Sequence, residues 1–271
     1  MSELLIAMVL LFQTAGGRGG GGGGALPPSP AFREPTPFER FVAKLDLDDK
    51  KQLPDVEKIF TTASAESTAV GRELIQLRLR MVDDAAPVVG AYTAAATKMG
   101  GVEARTFQQV YALLTTNQQK KSADAYLLMA GLLDVALPRA PQGARGGGAA
   151  SLTRMDFLIS AFTLDGAQKK QVKSIMDADY KAAKPLREQW IASRTAIGLA
   201  IQSAKTPAEL DQAVSAHAAQ AAAMAAAEAN ALAKITAVLT AEQKAKTVAI
   251  QASVYVLRGA FAGKKWDTTP D

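Results

Sequence analysis

Apolar residues recur at helical spacing along two long stretches of the chain. In the first, Val56, Ile59, Phe60, Ala63, Val70, Leu74, Leu77 and Met81 follow one another mostly at steps of three, four and seven residues. That spacing lays one apolar stripe along an α-helix. In the second stretch Val172, Ile175, Met176, Ala183, Leu186, Trp190, Ile197 and Ile201 repeat the pattern. A helix of ~30 residues would reach about 45 Å. The intervening positions are rich in Ala, Gln, Lys and Glu, which favour helix, and β-branched runs are few. Pro54 fits a first turn, whereas Pro185 falls inside its stretch and predicts a kink.

Helix boundaries carry a repeated signal. Leu114-Thr115-Thr116-Asn117-Gln118 and Leu239-Thr240-Ala241-Glu242-Gln243 both read L-T-x-x-Q. Physically this is a capping box: the Thr hydroxyl accepts from the amide of the third helical residue, whose Gln side chain reaches back to the Thr backbone. Leu114 and Leu239 are expected in the core, because Gln119 and Lys244 are too polar to staple them. Thr206-Pro207-Ala208-Glu209 and Thr36-Pro37-Phe38-Glu39 use the same logic, with proline at the tolerated first position.

Glycine and proline divide the chain. Leu4 to Phe12 is an apolar run of the length of a secretory h-region, although Glu3 stands where a basic residue is usual and no A-x-A site follows. Residues 1–24 read as a signal segment with a Gly-rich tract, and 25–37 as a Pro-rich tether. A Gly/Pro linker spans 138–150, separating helical segments 38–137 and 151–263, and a tail covers 264–271. The segments open alike: Leu47-Asp48-Asp49-Lys50-Lys51-Gln52 resembles Leu164-Asp165-Gly166-Ala167-Gln168-Lys169-Lys170-Gln171, followed by Val56-x-x-Ile59 and Val172-x-x-Ile175. This reads as an internal duplication of domain-sized units.

A short helix, a long amphipathic helix, a third helix and then L-T-x-x-Q opening a fourth resembles the periplasmic Spy/CpxP family, over roughly 38–135 and 152–262. The resemblance implies an all-α fold of two tandem four-helix domains, which could pair as an intramolecular pseudo-dimer or self-associate. It implies a periplasmic or secreted, ATP-independent holdase chaperone, or an envelope-stress accessory, acting on unfolded or envelope proteins. Two alternatives accompany it: a metal-responsive sensor or resistance protein, and a non-catalytic adaptor for an envelope sensor. Three departures stand out. Lys51 takes the place of Gln in the first opening motif, Asp165 replaces Thr in the second, and the histidines of metal-handling relatives are missing.

Composition narrows the chemistry. There is no cysteine, which excludes zinc ribbons and thiol nucleophiles, and the one histidine, His217, leaves a His-rich metal site or a Ser-His-Asp triad almost nothing to work with. No enzyme, cofactor or metal site is expected. The net charge of +5 is uneven: residues 25–137 carry 13 basic and 14 acidic groups, residues 151–271 carry 15 and 11. That excess is far from a nucleic-acid stripe, and no apolar run reaches the ~18 residues of a membrane span. Lys173, Lys184, Arg187 and Arg194, with Trp190, are expected along one helical face as a basic, aromatic-edged client surface. His217 is expected to be structural, the methionines at 81, 99, 129, 155, 176 and 224 to be core, and the alanine tract Ala213–Ala233 to permit close helix approach.

Overall fold

A computed structural model describes residues 37–129, 132–133 and 153–262. The expected signal segment, the tether up to Thr36, the 138–150 linker and the 264–271 tail lie outside the described residues. The first segment forms α1 (Pro37–Leu45), α2 (Leu53–Met81), α3 (Val89–Ala112), α4 (Thr116–Gln119) and α5 (Ser122–Leu128). The second forms α6 (Arg154–Phe162), α7 (Gly166–Ala182), α8 (Lys184–Gln202), α9 (Pro207–Val238), α10 (Ala241–Lys244) and α11 (Thr247–Phe261). No strand occurs among the described residues, so the fold is all-α.

Local chemistry accounts for the boundaries. Pro54 occupies the first turn of α2 and Pro207 that of α9, where a missing N–H costs no helical bond. Pro185 does more than kink the second long helix. It ends α7 at Ala182 and restarts the chain as α8, in whose first turn it sits. The expected capping boxes at Thr115, Thr240 and Thr206 are all formed, and Thr153–Asp156 and Asp165–Gln168 add two more. Each L-T-x-x-Q opens a four-residue helix, α4 or α10, before the chain turns again into α5 or α11; it does not open one long fourth helix.

Three apolar clusters fill the interior, and two of them draw heavily on both segments. In the first, Phe41, Phe107 and Tyr126 meet Ile197 and Ile201 of α8 and Leu210 and Val214 of α9. The second gathers Leu158, Phe162, Val172, Leu232 and Phe261, with Leu79 and Val82 from the first segment against it. The third packs Leu77, Met81 and Ala95 onto Ala218, Ala222, Ala225 and Ala229 of the alanine tract, small side chains that let α3 and α9 approach closely. The described residues accordingly fall within one compact unit spanning 37–271.

Helices α5 and α8 cross closely at Gly198, where a methyl group would stand 2.9 Å from the Ala123 carbonyl oxygen and 3.0 Å from its Cα. Gly198→Ala should therefore destabilise the fold by about 1–3 kcal/mol, despite alanine's better helix propensity. Gly90, with open space around it, should gain up to about 1 kcal/mol on the same change. Thermal unfolding of both variants checks the sign of each.

Candidate functional site

The L-T-x-x-Q glutamines do more than cap. Gln118 Oε1 accepts from the Thr115 amide at 2.8 Å, while its Nε2 donates to the Asp46 carbonyl at 2.7 Å and to Gln52 Oε1 at 2.9 Å. Gln52 reciprocates: its Oε1 accepts from the Asp48 amide at 3.0 Å, and its Nε2 donates to the Leu113 carbonyl at 2.7 Å and to Gln118 Oε1 at 2.9 Å. Two primary amides thus lie face to face with both hydrogens of each Nε2 used. They tie the α1–α2 turn to the α3–α4 turn.

The same lock is built a second time. Gln168 Nε2 donates to Gln243 Oε1 at 2.8 Å and to the Val238 carbonyl at 3.1 Å. Gln243 Nε2 donates back to Gln168 Oε1 at 3.0 Å and to the Thr163 carbonyl at 3.3 Å. The carbonyls correspond as well. Asp46 and Thr163 are both left-handed, at φ 54° and 56°, and Leu113 and Val238 both precede the motif leucine. Leu114 and Leu239 are buried, as expected. The first lock therefore has its glutamine, at Gln52; Lys51 is not its stand-in, because the first opening turn is one residue longer than the second.

Counted from these glutamines, the long helices carry a second correspondence. Arg78 stands 26 residues after Gln52 and Arg194 stands 26 after Gln168; Glu103 precedes Gln118 by 15 and Glu228 precedes Gln243 by 15. The structure pairs them crosswise. Arg194 donates to Glu103 at 2.8 Å, both side chains being at most 5% exposed, and Arg78 donates to Glu228. Arg194 also lies over the Tyr126 ring and Arg78 over Tyr92. Each segment's arginine meets the other's glutamate, the reciprocal pattern of an isologous interface. Burial pushes the Glu228 carboxyl up, and the Arg78 and Arg258 charges oppose that.

The expected basic face is not assembled. Arg194 is buried in its ion pair, and Arg187 is buried over the Tyr180 ring, donating to the Tyr180 carbonyl at 3.2 Å. Trp190 is half-buried, its ring centroid 5.6 Å from that of His217. Lys173 and Lys184 alone are exposed, paired along the helix with Asp177 and Glu188. The reason is that α8 faces neighbours on several sides, which a helical wheel of one segment does not register. Ile191 and Leu199 are the large apolar side chains that α8 leaves exposed.

His217 is buried against Ser193 Oγ, 3.0 Å from its Nδ1. Burial, with the Arg194 charge acting the same way, pushes its imidazole down to about 3. Among the described residues no group of three His, Asp or Glu could hold a metal. The core methionines Met81, Met99, Met129, Met176 and Met224 are buried as expected. No helix among the described residues is long and apolar enough to cross a membrane.

Comparison with known families places the second lock in context, for the family model described as LTXXQ motif family protein matches residues 152–251. This is the family of Spy/CpxP-like periplasmic proteins. No curated protein and no solved structure matches the chain. The LTXXQ segment thus holds Gln168 and Gln243, Arg194 and Glu228, while residues 37–133 share its geometry outside the match.

Two outcomes follow from this geometry. Gln118→Ala leaves Gln52 and the Asp46 carbonyl without their partner in a buried setting, and should cost about 2–3 kcal/mol. Gln243→Ala, at the more exposed lock, should cost about 1–2 kcal/mol; urea unfolding of both variants measures the difference. His217 supplies a pH dependence. Its folded pKa lies below the ordinary 6.5, so below that pH the unfolded chain takes up a proton that the fold refuses. Its stabilising contribution is complete above pH 6.5 and falls as pH drops towards 3, by about 1.4 kcal/mol per unit. His217→Asn should shrink the loss of stability between about pH 7 and about pH 5 by about 2 kcal/mol.

Proposed function

We propose that this protein is an extracytoplasmic, ATP-independent holdase or envelope-stress accessory, a single-chain counterpart of a homodimer built from two LTXXQ-type segments. The observation that carries the reading is the LTXXQ match over residues 152–251 together with its lock and crossed ion pairs, both repeated at equal offsets in residues 37–133. The protein acts without catalysis. Its capture surface is the outer side of α8, where Ile191 and Leu199 stand eight residues apart, on one side of the helix and about 12 Å from each other. Apolar burial provides the hold and the basic excess of the second segment raises the capture rate.

Light scattering of a chemically unfolded client, without ATP and at low and high salt, tests this. Suppression near equimolar ratio is expected, weakened severalfold in the Ile191→Asp, Leu199→Asp double variant, whose changes fall at exposed positions and leave the fold intact. No suppression at several-fold excess would overturn the holdase reading. Suppression unchanged in the double variant would remove α8 as its surface.

A further inference from the structure

A cavity of about 250 Å³ lies between α2, α3, α8 and α9 and reaches α11. It sits where the two segments mirror one another. Leu74 corresponds to Trp190, Tyr92 to His217, and Met99 to Met224, each couple at one common distance from its lock glutamines. Both crossed ion pairs lie in the same wall. In the first of these couples the second segment sets an aromatic ring where the first has an aliphatic side chain.

The ionic groups of the wall are occupied with one another. Arg194 donates to Glu103 at 2.8 Å, and Arg78 donates to Glu228 while lying over the Tyr92 ring, 5.2 Å from its centroid. The Arg258 charge bears on the same Glu228 carboxyl, so it too is engaged within the wall. His217 is held by Ser193 and stays uncharged at neutral pH. An ionic ligand would therefore leave water and find its counter-ions already taken, which makes its desolvation costly. The rest of the wall is apolar and soft: Leu74, Ala96, Ala221, Met99 and Met224 share it with Trp190. The indole gives a second ring an aromatic partner, and the thioethers adapt to a ring edge. The volume exceeds the ~150 Å³ that holds benzene in an engineered apolar cavity, leaving room for one ring and a small substituent.

We propose that this cavity binds an uncharged aromatic compound of a single ring, seated among Trp190 and the Met99 and Met224 thioethers. Such a ligand leaves both ion pairs undisturbed and gains from apolar burial. A saturated ring of the same size fills the space but forgoes the contacts with the indole and the thioethers. A charged ring of either sign keeps those contacts and loses its hydration.

The full chain carries two tryptophans, so Trp266→Phe leaves Trp190 as the sole tryptophan reporter, on the cavity wall. Benzyl alcohol titrated into that protein should give a saturable fluorescence change with a midpoint at or below about 1 mM. Benzoate and benzylammonium, of similar shape but charged, should bind about tenfold more weakly or worse. Cyclohexylmethanol, the saturated analogue, should bind about fivefold more weakly. Ala221→Leu fills the cavity without touching a charge and should abolish the signal. Trp190→Leu, which installs the residue found at the matching place of the first segment, should weaken benzyl alcohol binding about fivefold by calorimetry, and it keeps the test decisive if Ala221→Leu does not fold. Any of four results overturns the proposal: no saturable change up to about 10 mM, a charged analogue binding as well as the alcohol, the saturated analogue binding equally, or binding undiminished in either variant. None of these readouts depends on holdase activity.

Discussion

Two buried arginine–glutamate pairs set the geometry of the molecule. Withdrawing four ionic groups from water is costly, and the cost is met only if every cation keeps its anion in good geometry. Here the partners are split between segments: Arg78 and Glu103 belong to the first, Glu228 and Arg194 to the second. Neither segment can bury its own charges alone. Sliding α8 by one turn against α3, about 5.4 Å, would separate Arg194 from Glu103 and strand both, at about 3–5 kcal/mol. The pairs therefore select one register among the many that the featureless alanine surface of α9 would tolerate.

The glutamine locks serve the ends of the same helices, and their chemistry explains the residue type. A capping box alone accepts Glu or Gln at its third position, and the Thr206 box does use Glu209. At the two locks the side chain must also donate, to a backbone carbonyl and to the opposite side chain. A carboxylate cannot do so, and two facing carboxylates would repel in a partly buried site. A primary amide supplies two donors and two acceptors without charge, so it closes the lock with no ionic desolvation. The left-handed turns at Asp46 and Thr163 aim their carbonyls at the locks.

Much of this architecture is legible in the order of residues alone. The apolar stripes of Val56–Met81 and Val172–Ile201 mark the long helices, the Thr115, Thr240 and Thr206 boxes mark their boundaries, and the buried Leu114 and Leu239 agree with their expected place in the core. The client face fails for an identifiable reason. Arg187 and Arg194 look exposed on a helical wheel because their partners are Tyr180 through space and Glu103, 91 residues earlier. Nothing local records the contact with Glu103, and the Arg187–Tyr180 contact crosses the α7–α8 break at Pro185. The partners of the motif glutamines, Gln52 and Gln168, escape the sequence comparison because the opening turns differ by one residue, which sets Lys51 beside Gln168. Counting offsets from glutamine to arginine and from glutamate to glutamine brings out the four corresponding residues in the sequence, while their crosswise pairing is a fact of the structure.

Where the segments obey the same constraint they stay alike in register, so their departures carry information of a different kind. Gln52 and Gln168, Val56 and Val172, Arg78 and Arg194, Glu103 and Glu228 hold equivalent places and do equivalent work. The differences gather elsewhere. Helix α8 runs to Gln202, past the position equivalent to the end of α2, and that extra length carries the exposed Leu199, whose counterpart Asp83 lies beyond α2. Leu74 becomes Trp190, and Leu133 becomes Arg258. Trp190 packs against the second apolar cluster and the His217 ring, so this change brings new contacts into the interior. The exposed apolar positions that only one segment carries, on the open face of α8, are where binding is to be sought. The mirrored halves of one chain provide the control for recognising them.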